Sequence, residues 1–251
     1  MKYVRANRLG RVRWGVLDGD VIRTLKWPPY DGAEYYDGKA WKVADCQLLA
    51  PCDPGKIVCV GKNYYDHAVE MGEGIPDRPI LFMKTHNCIN DPEGEIHAPD
   101  FVQRLDYEGE LAFVVKKTAS RVKAAEAWEY ILGFTILNDV TARDVQKGDG
   151  QWTRGKCMDG FAPAGPVLTD AVDPTDLKLE TRLNGKTVQS SRTSLFMTKI
   201  PELMEFITAG ITLEPGDVVS TGTPAGIGSM QPGDTVEVEI EGIGVLRNHI
   251  V

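Results

Sequence analysis

Leu105-Asp106-Tyr107-Glu108-Gly109-Glu110-Leu111-Ala112-Phe113-Val114-Val115 is the stretch on which the reading of the chain turns. From Leu111 to Val115 it is apolar, with β-branched and aromatic members, which predicts a buried strand. Side chains alternate along a strand, so Glu108 and Glu110 share one side and Gly109 leaves the opposite side bare. Two carboxylates side by side at the mouth of a buried strand repel each other. Either one holds a proton or a cation sits between them. Oxygen-only ligands of this kind suit a hard divalent ion such as Mg²⁺ or Mn²⁺. The alternative is an exposed strand end with two solvated acids.

Downstream, Gly133-Phe134-Thr135-Ile136-Leu137-Asn138 is a second apolar strand candidate, and it ends on Asp139. A third carboxylate there would complete a facial set of three acids with positions open for water and substrate. Thr141-Ala142-Arg143-Asp144-Val145-Gln146 follows at once. A rigid strand that places ligands, with a polar segment behind it, is how sites are commonly built.

Glu108-x-Glu110, Asp139 with Thr141 to Gln146 behind it, then Lys156, then Thr221-Gly222-Thr223-Pro224-Ala225-Gly226-Ile227-Gly228 resemble, in this order, the fumarylacetoacetate hydrolase family. The similarity runs from about Lys56 to the C-terminus. It is specific to the superfamily and much less so to one substrate. Short strands, Pro-Gly and Gly-rich turns and few helices predict a mainly β (α+β) chain, and the resemblance implies a mixed β-roll or barrel around the metal. A small N-terminal β-rich module over 1–50 and a catalytic domain over 51–251 are expected, and the family implies a homodimer.

Composition bounds the class. A chain of 251 residues, 42% hydrophobic, can bury a large core. The formal net charge of −8, without a basic run, argues against a nucleic-acid partner. Met1 to Gly10 is polar and lacks the apolar core, about 7–15 residues long, of a secretory leader. No stretch approaches the roughly 20 apolar residues of a membrane helix. Five cysteines without C-x-x-C spacing predict a reduced, cytoplasmic protein. Four histidines with no His/Cys cluster disfavour zinc.

Val12 to Leu17, Asp18-Gly19 and Asp20-Val21-Ile22 form a hairpin signal. Trp27 to Gly32 breaks regular structure, and Leu48 to Gly55 reads as a linker. Lys56 to Gly61 is a short buried strand. Asn63 is an N-cap candidate for a helix from Tyr64 to Met71, stopped by Gly72. On it His67 and Glu70 share a face. The carboxylate would raise the imidazole's basicity and fix its tautomer, as suits a base acting on water. The bland alternative is a surface pair. The resemblance favours the first, because the family's hydrolases activate water with a His/Glu pair.

Residues 73–79 form a Gly/Pro-rich connection, which the resemblance implies to be a lid. Lys84 reads as structural or supporting, and His86 and His97 receive no role. A helix is expected from Ala124 to Leu132, with Trp128 and Leu132 packing on one side, and a surface loop from Gly148 to Gly155. Ile200 to Ile207 is a further helix, with Pro201 at a tolerated early position. Lys156 is either a solvated charge or, by resemblance, a group set against substrate oxygen. The loop Gly222 to Gly228 lacks phosphate-loop chemistry. It is a simple glycine turn or, as the family implies, a contributor through Thr223 to binding the substrate carboxylate.

The expected chemistry follows from the charges. A 2-oxo acid chelates the metal, which stabilises the enolate formed when the adjacent C–C bond breaks. Arg143, Gln146 and Lys156 orient oxygens or protonate the leaving carbon, and His67 with Glu70 activates water. The outcome is hydrolysis of an acylpyruvate or fumarylacetoacetate-like acid. The resemblance equally covers oxaloacetate decarboxylation and isomerisation of 2-hydroxyhepta-2,4-diene-1,7-dioate, as in aromatic catabolism. A metal-binding protein without turnover is the alternative of another class, one that would not need His67, Glu70 and Lys156.

Overall fold

The structure, a computed structural model, describes residues 1–251 apart from 33–35 and 73. It is mainly strand with a few short helices, as the apolar runs and turn residues predict. The central strand, Gly109–Val115, is buried along its whole length. It pairs antiparallel with Ile131–Asn138 on one side and Val218–Ser220 on the other. Beyond Val218–Ser220 the sheet continues through Ile57–Gly61, a parallel neighbour, to Ile80–Lys84. Beyond Ile131–Asn138 it continues through Ala162–Thr169 to Lys2–Arg8.

Lys2–Arg8 is followed across the sheet by Arg11–Asp18, Val21–Leu25 and Tyr36–Lys42. The N-terminal strands therefore join the main sheet through Lys2–Arg8. Ladder bonds to Leu168 and Thr169 satisfy an edge that would otherwise lie open. Leu48 and Leu49, expected to begin a linker, instead lie in a strand, Gln47–Leu49, against Lys2–Arg8. A second sheet, from Lys186–Arg192 through Lys178–Leu183 and Thr235–Ile240 to Gly244–Ile250 and Glu95–Ile96, packs Leu179, Val238 and Leu246 against Leu111, Phe113 and Ile136. A third, small sheet joins Thr141–Ala142, Leu105–Tyr107 and Gly228–Met230. The sheets are mixed and open, and the expected barrel does not close.

Several local expectations are corrected. The helix over 64–71 is Tyr65–Glu70, and Asn63 does not cap it. Its amide instead bonds the backbone at Thr198 and Thr221, tying two distant segments together. The segment Ala124–Tyr130 is 3₁₀ and leads straight into a strand, so Leu132 is a strand residue and Trp128 stays 43% exposed. The stretch 148–155 is no plain loop: one helix ends at Asp149, Gly150 turns left-handed, and Thr153–Lys156 is helical with Gly155 buried. Glu73 lies outside the described residues, and residues 74–79 form neither helix nor strand. Among the described residues no helix is long and apolar enough to cross a membrane.

Gly109 does not leave an open side. A Cβ there would overlap Thr181 Oγ1 and lie 2.9 Å from Val238 Cγ1. The second sheet rests directly on the backbone that carries the two glutamates. Gly109→Ala should therefore destabilise the protein by about 1–3 kcal/mol, the usual range for overpacking. Urea unfolding checks this, and an unshifted midpoint would mean that the two sheets part easily at this position.

Candidate active site

Strand pairing brings the acids together. Gly109 lies opposite Asn138, so the end of one strand meets the start of the other. The Asp139 N–H donates to the Glu108 carbonyl at 2.8 Å, and the Glu108 N–H donates to Asn138 Oδ1 at 2.9 Å. One carboxylate oxygen from each of Glu108, Glu110 and Asp139 lies within 4.8 Å of the others, and all three residues are buried. The alternative of an exposed strand end with solvated acids is thereby removed.

Three buried cations face these acids. Lys156 Nζ donates to Glu108 Oε2 and Asp139 Oδ2, each at 2.7 Å. Lys84, the supporting charge of the sequence reading, is fully buried and donates to Asp139 Oδ1 at 2.5 Å. Arg143 pairs with Glu108 through Nη2, with Gln146 Oε1 at 2.7 Å through Nη1, and with Asp106 Oδ2 at 2.8 Å through Nε. Burial disfavours charge on Glu108, yet Lys156 and then Arg143 hold its carboxyl well below the usual range. Burial also opposes charge on Lys156, but Asp139 and Glu108 outweigh it and hold the ammonium above its ordinary value.

Glu110 is different. Its Oε2 accepts from Ser220 Oγ at 2.5 Å and from the Gly222 N–H at 2.9 Å. Among the described residues no cation is paired with it. Burial and the charge of Asp139 push its carboxyl well above the usual range, with the Ser220 bond offsetting part of the effect. An all-oxygen donor set with one uncompensated carboxyl fits a hard divalent cation.

His67 is buried, with Nδ1 3.2 Å from Glu70 Oε2. Both Glu70 oxygens also accept the Gly226 N–H, at 3.1 and 3.2 Å. With Glu70 accepting, Nδ1 carries the proton and Nε2 is left basic. Every residue the sequence proposed for the site lines one cavity of ≈ 260 Å³, except Glu70, which stands behind His67. Thr223 lines it too, but its hydroxyl donates to the Gly109 carbonyl at 2.9 Å and accepts from Gln189 Nε2 at 2.9 Å. The glycine loop does bring N–H groups to anions, as its sequence suggests. Those of Gly222 and Gly226 meet the protein's own Glu110 and Glu70.

Asp106, Gln189 and Ser220 escaped the sequence reading. Asp106 had a signal, since it stands two before Glu108 in the same run, and it is fully buried between Arg143 and Arg104. Gln189 and Ser220 have no local signal, because their partners lie 80 and 110 residues away.

Residues 56–251 match the family described as fumarylacetoacetate (FAA) hydrolase C-terminal, and residues 1–51 match Rv2993c-like, N-terminal. The chain belongs to the fumarylacetoacetate hydrolase family. It is 48% identical to Protein Rv2993c of Mycobacterium tuberculosis, covering 97% of this chain and 98% of that one. It is 40% identical to oxaloacetate tautomerase YisK of Bacillus subtilis, covering 84% and 75% respectively. The solved structure of 2-hydroxyhepta-2,4-diene-1,7-dioate isomerase from Mycobacterium marinum superposes with a TM-score of 0.93 at 41% identity, covering 100% of this chain and 98% of that one. The family is thus one of enzymes, with tautomerase and isomerase members.

Calorimetry should detect one Mn²⁺ per chain, lost to EDTA, and Glu110→Gln should weaken it on the order of 10–100-fold or more. Without metal the same variant should melt higher than wild type at neutral pH, because it removes a buried carboxyl whose ionisation no cation offsets. The sign follows from the raised carboxyl. Its contribution is fully present below the ordinary glutamate value of about 4.3 and is lost as pH rises through the higher folded value. Unchanged Mn²⁺ affinity in Glu110→Gln would remove this residue from the ligand set.

Proposed function

We propose that this protein is a divalent-metal-dependent enzyme that enolises small 2-oxo acids, and that its reaction is keto–enol tautomerisation of an oxaloacetate-like dicarboxylate. One observation carries the reading. The cavity sets three buried carboxylates against a buried lysine, with a carboxylate-held histidine in the same wall. The relatives named as tautomerase and isomerase support proton transfer over bond cleavage, which the sequence reading had ranked first.

Glu108, Glu110 and Asp139 would hold Mg²⁺ or Mn²⁺, which when bound supplies a Lewis acid for the 2-keto oxygen. Lys156 stays protonated, so it serves as a cation and hydrogen-bond donor to the oxygen that gains charge, and it is not the base. That leaves His67 Nε2 to take the C3 proton, with Glu70 stabilising the imidazolium and fixing the ring. The proton returned to oxygen completes the enol. Arg143, gripped by Asp106 and Gln146, orients the carboxylate.

Hydrolysis of an acylpyruvate is the second reading, and the His67–Glu70 pair favours it, because the same base serves water. In that case the enolate is the leaving group. Oxaloacetate decarboxylation needs neither role of His67. With saturating Mn²⁺, His67→Ala should lower tautomerisation, and any acylpyruvate hydrolysis, by roughly 10²–10⁴-fold. Any decarboxylation should suffer far less, whereas Lys156→Ala should damage all three. Absorbance assays of enol decay, acylpyruvate loss and pyruvate formation separate the reactions. Purified protein that turns over neither oxaloacetate nor any acylpyruvate with Mg²⁺ or Mn²⁺ would end the proposal.

A further inference from the structure

The apolar part of the cavity wall, Val60, Met71, Phe82 and Trp152, has no part in the chemistry above. Among them Trp152 is held from two sides. Its ring lies against Gly61, where a Cβ would stand only 2.9 Å from Cζ3. It meets Phe82 edge-on, with centroids 5.2 Å apart and planes at 71°. Phe82 in turn carries the Lys156 ammonium 4.9 Å from its ring centroid. Lys156, Phe82 and Trp152 thus form a row from the buried charges to the half-buried rim.

We infer that Trp152 is a specificity-determining residue, whose indole closes the apolar end of the cavity and limits the carbon chain an acid can carry beyond its 2-oxo carboxylate head. The inference rests on the reading that the site takes 2-oxo acids. At ≈ 260 Å³ the cavity is smaller than the roughly 300–1,000 Å³ of drug-sized ligand sites. The indole is the largest apolar side chain in its lining. A rigid ring wedged on a glycine cannot yield to extra methylenes as a flexible side chain would.

Oxamate and its N-alkyl derivatives carry the same head with tails of graded length and do not turn over. Calorimetry in Mn²⁺ should show wild type binding N-methyl oxamate about 10-fold or more tighter than N-hexyl oxamate, the scale of discrimination by methylenes in a closed pocket. Trp152→Ala should move that ratio at least ~10-fold toward the long tail, with Trp152→Phe between. An unaltered ratio, with both affinities falling together, would mean that the indole only props Phe82 and Lys156, and the inference would fail. So would a wild type that binds both tails equally. Wild type that binds oxamate yet converts no 2-oxo acid refutes the enolisation reading alone, and the ratio still decides Trp152. Wild type that binds no oxamate refutes both.

Discussion

The structure depends on a cluster of buried charge that is short of one cation. Asp106, Glu108, Glu110 and Asp139 are buried together with Lys84, Arg143 and Lys156. Each removal of an ion from water costs several kcal/mol even after relaxation, so every member needs close partners. Glu108 and Asp139 have them in full. Glu110 has only a hydroxyl and a backbone N–H, and its displaced titration registers the deficit. An amide or an apolar group here would avoid that cost, so a carboxyl in this place fits a divalent cation.

The surrounding fold keeps these groups from relaxing. The acids sit at the ends of paired strands, where ladder bonds fix the backbone, and not on loops that could swing them into water. The second sheet closes over Gly109 so tightly that no Cβ fits. Gln189 acts as a clasp: its amide accepts from the Gly109 N–H and Thr181 and donates to Thr223 and the Pro224 carbonyl. Through it Lys178–Leu183 and Lys186–Arg192, the glutamate strand and the glycine loop are tied together. Preorganisation of this kind lets fixed charges act on a reacting oxygen without reorganising first.

The glycine loop shows how one element serves two ends of the site. Gly222 donates to Glu110 on the metal side, and Gly226 donates to Glu70 behind His67. The positive φ of both residues, 96° and 99°, is what turns those N–H groups toward the carboxylates. The loop thereby couples the acid cluster to the His67–Glu70 pair.

The three acids and Arg143 were legible because their signals are local, whereas the roles of the His67–Glu70 pair and Lys156 rested on the family resemblance. A two-residue alternation puts Glu108 and Glu110 on one side, and a three-residue helical spacing puts His67 beside Glu70. The motif order added Lys156 and the glycine loop. What the sequence by itself determined was therefore the mainly β class, the strands that bear the acids and the set of charged groups. Only the tertiary structure decided which charge is left uncompensated, that Gln189 and Ser220 belong to the site, that residues 1–50 extend the main sheet, and that Trp152 walls the cavity. Each of these is a choice of partner between segments tens of residues apart. Packing and desolvation make that choice, and no pattern within one segment encodes it.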